Sequence, residues 1–150
     1  MKIKMVNISK KPDQYREATA SGEIKLRPET IKLIREKKVE KGDPLQIATL
    51  AGINGSKFTP WAIPLCHPIS IENTKVDIDI KDGSIVVTTK VIAYSKTGVE
   101  MEALTATSIA LLNIWDVVKM YEKDEKGQYP TTLISSIKVL RKVKGDVINL

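Results

Sequence analysis

Val76-Asp77-Ile78-Asp79-Ile80-Lys81-Asp82-Gly83-Ser84-Ile85-Val86-Val87-Thr88-Thr89-Lys90-Val91-Ile92-Ala93-Tyr94 reads as a β-hairpin. Val76, Ile78 and Ile80 alternate with Asp77 and Asp79, so one face of the first arm is buried. Asp82-Gly83 sits at the centre of the turn. The second arm is β-branched and mostly apolar, which marks a more central strand. Lys96-Thr97-Gly98 breaks the pattern, and a helix is expected over about 99–122. Its core stripe is read as Leu104, Ser108, Leu111, Trp115 and Val118, at spacings of three and four. A charged loop over 123–130 precedes a last strand over 133–140.

Upstream of the hairpin the signals are helical. Asp43-Pro44 is a good N-cap followed by a good first helical residue. The helix carries Leu45, Ala48 and Ala51, and Gly52 and Gly55 mark a ragged end. Lys41 would stand just before its positive end, a natural place to collect an anion. Arg27-Pro28-Glu29-Thr30 opens an earlier helix that carries Ile31 and Ile34 and ends near Lys37. Residues 15–26 alternate weakly and read as a strand or hairpin. Helices interleaved with an antiparallel hairpin define an α+β class with a mostly antiparallel sheet packed with helices. The 150 residues fit one domain, 1–150, with flexible ends over about 1–14 and 143–150.

At 42% hydrophobic residues the chain can bury a sizeable core. No run approaches the roughly 18 uninterrupted apolar residues of a membrane span. Met1-Lys2-Ile3-Lys4 lacks the apolar region of a secretory signal. One cysteine cannot form an internal disulfide, so a cytoplasmic location is expected. The net charge of +6 favours anionic partners such as phosphates, nucleotides or nucleic acid. Against a nucleic-acid module, aromatics are only 5% of residues and the basic residues form no stripe with interleaved aromatics.

The only cysteine and the only histidine are neighbours, in Ile63-Pro64-Leu65-Cys66-His67-Pro68. The two prolines stiffen the segment and hold Ile63 and His67 extended. Adjacent residues of an extended segment point to opposite faces, which argues against a Cys–His nucleophile and base. A zinc site would have only this pair plus carboxylates to draw on, and a metal-dependent hydrolase using His67 and carboxylates is the rival that metal analysis of the purified protein decides. A buried structural cysteine and a ligand-binding histidine both remain open. Lys96-Thr97-Gly98-Val99-Glu100-Met101-Glu102-Ala103-Leu104-Thr105 places two carboxylates at a helix entrance. They either complement the helix dipole or face a ligand that approaches at Gly98. Asp116 and Lys119 form either an ordinary ion pair or a working pair; Asp116 stands in the most apolar part of its helix, where a charge needs a partner or a job. Glu102 and Asp116 are fourteen residues apart, about 21 Å along one helix. They cannot touch one small molecule within a single subunit.

Those two strings, followed by Trp115-Asp116-Val117-Val118-Lys119, resemble the cyclic pyranopterin monophosphate synthases, the C proteins of molybdenum-cofactor biosynthesis (MoaC family). The likeness covers roughly residues 15–142. It implies a ferredoxin-like α+β fold and a homohexamer, a trimer of dimers, with active sites at subunit interfaces. It implies conversion of 3′,8-cyclo-7,8-dihydroguanosine 5′-triphosphate to cyclic pyranopterin monophosphate and pyrophosphate. Carried over, Lys41 and Lys119 match the catalytic lysines and Asp116 the essential carboxylate. Leu65, Cys66, His67, Met101 and Glu102 match pterin-side binding positions, and Arg16, Lys57 and Glu100 further pocket positions. The resemblance implies no redox cofactor and no dedicated metal site, with Mg2+ at most accompanying the triphosphate. It implies neither a nucleic-acid nor a membrane partner. The chain departs from the family pattern at Phe58 and Trp61, at Val117-Val118, and in a tail reduced to Lys142-Val143-Lys144-Gly145-Asp146.

Overall fold

The computed structural model describes residues 1–145. The elements run β1 (Gln14–Lys25), α1 (Pro28–Arg35), α2 (Pro44–Ala62), β2 (Ile71–Ile80), β3 (Ser84–Ser95), α3 (Glu100–Glu122) and β4 (Leu133–Gly145). The strands form one sheet in the order β2-β3-β1-β4, antiparallel at every pairing. This is the ferredoxin-like α+β arrangement, with its first helix broken into α1 and α2. Alternation along β1 and β3 sends Ala18, Ala20, Ile24, Ile85, Val87, Val91 and Ala93 into the core. There they meet Ala103, Leu111, Ile114 and Val118 of α3.

The hairpin forms as its alternation requires, but β2 starts at Ile71, five residues before the clean pattern. A register irregularity between Ile71 and Asn73 interrupts the alternation there. α2 does not end at its glycines. A Cβ at Gly55 would come 3.1 Å from Ile109 Cβ and 3.3 Å from Ala106 Cα, and one at Gly52 3.3 Å from the Ala106 carbonyl oxygen. The glycines are the seam where α2 and α3 approach closely. α2 even passes through Pro60. That proline leaves the Ser56 carbonyl without its helical donor, and the Thr59 hydroxyl donates to it instead at 3.0 Å.

The seam also rotates the expected stripe of α3. Ala103, Ala106, Ala110, Leu111, Ile114, Val117 and Val118 are buried, whereas Leu104, Ser108 and Trp115 are half-buried. Small residues face the close neighbour, and larger ones lie at its margins. By length and composition alone α3 could cross a bilayer, but half of its most apolar window is buried in the fold, as in a core helix.

β4 continues past the expected end. Val143, Lys144 and Gly145 pair with Glu17, Arg16 and Tyr15, so the part of the tail over 143–145 is strand rather than a loose end. The rest of the expected flexible tail, 146–150, lies outside the described residues. One buried carboxyl group ties the helical layer together. Glu122 accepts from the Arg27 amide at 3.1 Å and the Thr132 hydroxyl at 2.6 Å, and also from the Thr30 hydroxyl. It thereby fastens the start of α1 and the approach to β4 to the end of α3.

Candidate active site

Two groups of functional side chains lie on α3, one at each end. At the C-terminal end, Asp116 takes two lysines. Lys119, one turn on, places its Nζ 3.1 Å from Asp116 Oδ1. Lys41 arrives from before α2, with its Nζ 3.5 Å from Asp116 Oδ2 and 3.1 Å from the Asp116 carbonyl oxygen. Local chemistry positions Lys41. Gly42 adopts φ 125°, a conformation that side chains rarely accept. Asp43 then caps α2 by accepting from Leu45 N at 2.9 Å. The hydrogen bond from Lys119, then the charges of Lys119 and Lys41, hold the Asp116 carboxyl below the usual carboxylate range.

All three side chains are substantially exposed. Exposed ion pairs contribute little stability, so stability does not account for this cluster. Asp116 and Lys119 line an open cleft of about 390 Å³ with Leu112, Trp115, Tyr129 and Ile134. Trp115 and Tyr129 meet edge-to-face with ring centroids 5.2 Å apart, forming an aromatic wall beside the charges. A larger groove of about 510 Å³ runs between α2 and β2, but its lining holds one ionisable group, Asp77. The chemistry lies elsewhere.

The N-terminal end of α3 gathers the second group. Glu102 is buried, and its Oε1 has no hydrogen-bond partner. The Cys66 thiol points to Glu102 Oε2 at 3.6 Å. Burial pushes the Glu102 carboxyl above the usual range, and the charge of Glu100 adds to the shift. Burial, then the neighbouring Glu102 charge, pushes the Cys66 thiol up to about 11. Such a thiol is a poor nucleophile at neutral pH. The segment before it is not extended throughout as expected: Pro64 and Leu65 form a turn closed by Cys66 N donating to Ile63 O at 3.0 Å.

Glu100 behaves oppositely. Burial opposes its ionisation, but the hydrogen bond and charge of Lys142, 2.6 Å away, hold it below the usual range. Two carboxyl groups two residues apart are thus driven in opposite directions, a pattern that separates acid and base roles. Arg16 is buried and donates to the carbonyls of Ser95 and Lys96, each at 3.3 Å. It braces the turn that leads into α3. Leu65 and Met101 are exposed beside this group, and His67 bonds to the main chain of the N-terminal arm. Lys57 stands exposed on α2.

The structure therefore brings Lys41, Asp116 and Lys119 together, and separately Cys66 with Glu102. It does not join the two groups, because one straight helix holds them about 21 Å apart. Sequence reading left Lys142 in the tail. No local sign pointed to this contact, because Leu140 and Val143 are three apart and give no period-2 pattern; only pairing with β1 carries Lys142 to Glu100. Tyr129 lies in a charged loop whose pattern gives no sign that it would reach Trp115. Among the described residues no three His, Cys, Asp or Glu side chains gather as a metal site.

Fold and site together define a ferredoxin-like α+β protein that presents a lysine–carboxylate–lysine cluster at one end of its core helix and a pair of oppositely tuned glutamates at the other. A sequence model of the MoaC family matches residues 5–145, and the chain belongs to that family. Its relatives include the "Probable cyclic pyranopterin monophosphate synthase" of Pyrococcus furiosus, 56% identical over 144 residues, which cover 96% of this chain and 92% of that protein. The protein of the same name from Sulfurisphaera tokodaii is 57% identical over 141 residues, covering 94% and 93%. That of Archaeoglobus fulgidus is 52% identical over 144 residues, covering 96% and 92%.

Proposed function

We propose that this chain is a cyclic pyranopterin monophosphate synthase of molybdenum-cofactor biosynthesis. It is a phosphorus–oxygen lyase that converts 3′,8-cyclo-7,8-dihydroguanosine 5′-triphosphate to cyclic pyranopterin monophosphate and pyrophosphate. The observation that carries the reading is the Lys41–Asp116–Lys119 cluster, assembled from two distant stretches in a member of the MoaC family.

The reaction needs repeated proton transfers to open and re-close rings, and it builds charge on a phosphate as pyrophosphate leaves. An ionised Asp116 between two ammonium groups supplies an acceptor and two donors within one cleft. Lys41, beside the positive end of α2, also suits phosphate charge, as does exposed Lys57, while buried Arg16 serves the pocket by bracing the turn at Ser95 and Lys96. Leu65, Cys66, His67, Met101 and Glu102 form the pterin-side surface, with Glu100 at its margin. There burial raises the Glu102 carboxyl above the usual range and the Cys66 thiol points to its Oε2. No redox cofactor takes part, and Mg2+ travels with the triphosphate.

The two ends of α3 act on one substrate only if a second copy contributes one of them. The working form is therefore a homohexamer, a trimer of dimers, with sites shared between subunits. Exposed Leu50, Phe58 and Trp61 on α2, and Leu133 and Leu140 on the edge strand β4, supply apolar surface for such contacts. The protein works in the cytoplasm, without nucleic-acid or membrane partners. The test is anaerobic incubation with the cyclised dihydro-GTP, following pyrophosphate and the pyranopterin by mass spectrometry. Product from the wild type and none from Lys119→Ala supports the reading. No product from a folded wild-type assembly refutes it.

A further inference from the structure

The segment before β1 carries no sequence motif, yet it lies across His67. Asn7 Oδ1 accepts from Ser9 N at 2.9 Å, and Lys11 N donates to Ile8 O at 3.0 Å, so residues 7–11 make two linked turns. These turns set out two main-chain carbonyls. Val6 O lies 2.7 Å from His67 Nε2, and Ser9 O accepts from Lys96 Nζ at 3.3 Å. One contact meets the chain's only histidine, and the other meets the lysine of Lys96-Thr97-Gly98.

Packing does not explain this placement. Ile3 is 88% exposed and Val6 65%, and of residues 1–13 only Ile8 is half-buried. Ile8 closes a small cavity of about 300 Å³ against Pro68, Ile69, Tyr94 and Lys96. The arm is therefore held to the body largely through its carbonyls and that one side chain.

A carbonyl oxygen only accepts, so Nε2 must carry the proton in this contact. Neutral His67 is then the Nε2–H tautomer, with its lone pair on Nδ1. Pro68 keeps the His67 backbone extended, which limits where the ring can swing.

We infer that the N-terminal arm is a positioning element of the active site: the Val6 carbonyl holds the His67 imidazole as the Nε2–H tautomer and leaves Nδ1 as the acceptor offered to the substrate. The inference rests on the proposed function in one respect, that His67 meets substrate. The arm supplies no reacting group. It selects which nitrogen the ring presents.

A single histidine makes the ring signals unambiguous. The full chain, labelled with 15N,13C-histidine, is compared by NMR at a pH where the ring is neutral with a chain lacking residues 2–8. Asn7→Ala serves as a second variant that keeps the arm and loosens its turn. The expected result is the Nε2–H tautomer in the full chain and a mixture of both tautomers after truncation. KM for the cyclised dihydro-GTP rises roughly three- to tenfold, as for loss of one oriented contact, while kcat changes far less. An Nδ1–H tautomer in the full chain overturns the inference. So does a ring pattern that truncation leaves unchanged, or an altered tautomer with KM unchanged. Lys119→Ala separates the two ideas, because it keeps the ring pattern of the full chain while losing turnover. If no form turns over, the proposed function fails, and the ring measurement still decides whether the arm holds His67.

Discussion

Replacing Glu122 by alanine tests whether one buried carboxyl group holds the helical layer to the rest of the chain. Glu122 is 1% exposed and accepts from three donors on two other segments: the Arg27 amide and the hydroxyls of Thr30 and Thr132. Each donor orphaned in the interior costs about 1–3 kcal/mol. The two threonine hydroxyls can rotate towards other acceptors, so about 1 kcal/mol each is the fitting figure for them. With the Arg27 amide at the low end of that range, loss of the one buried methylene group, Cγ, adds about 0.8 kcal/mol. The expected loss is therefore about 4 kcal/mol, or roughly 8–16 °C in melting temperature for a chain of this size. Glu122→Gln keeps the volume and one acceptor oxygen and is expected to lose about half as much. Thr132→Val in the Glu122→Ala background should cost less than Thr132→Val alone, because the partner is already gone. Guanidinium denaturation and thermal melts measure all four variants. A Glu122→Ala variant within about 1 kcal/mol of wild type would refute the reasoning, since no arrangement of three orphaned donors is that cheap.

Lys41→Ala and Lys119→Ala should each lower pyrophosphate release by about 10²–10⁴-fold, the usual worth of a proton-transfer group. Because their ion pairs are exposed, both variants should melt within about 0.5 kcal/mol of wild type; a large loss of stability would mark the cluster as structural instead. Cys66→Ser should keep substantial activity, and alkylation of Cys66 by iodoacetamide should stay slow near pH 8 and accelerate towards pH 11. Fast labelling at pH 7 contradicts that environment. Glu102 has a raised folded pKa, so its stabilising contribution is present below the ordinary value of 4.5 and is lost as pH rises through the folded pKa. Glu102→Gln should accordingly flatten the fall in melting temperature above that point, and an unchanged slope would count against a raised carboxyl. Glu100 and Asp116 have the opposite sign: their contribution is present at neutral pH and is lost as pH falls through their depressed pKa values. Removing the Glu100 partner with Lys142→Ala should lessen the acid sensitivity measured by melts between neutral pH and the carboxylate range.

Local signals told the truth about local structure. The period-2 alternation of Val76, Ile78 and Ile80 and the Asp43-Pro44 start of α2 both stand in the structure, because each depends on neighbours within a few residues. Errors came where a distant element decided the outcome. Gly52 and Gly55 read as a helix end, since glycine is a poor helix former, but α3 passing at close range requires them. The same approach turned α3 so that alanines rather than Leu104 and Trp115 face inward. The tail read as loose because Leu140 and Val143, three apart among charges, give no period-2 pattern, and only pairing with β1 makes it strand.

For the site, residue types and order within the chain were enough to place it in its family and to single out Lys41, Asp116, Lys119, Cys66 and Glu102. The 21 Å separation also followed from sequence, because the rise of a helix is constant. The tertiary structure alone decided which groups meet and what each meeting does to a proton. It set Lys41 beside Asp116, Lys142 beside Glu100, and the Val6 carbonyl against His67. The physical reason is that a charge or a tautomer responds to what lies within a few ångströms in space, and main-chain atoms such as the Val6 carbonyl carry no mark in the sequence.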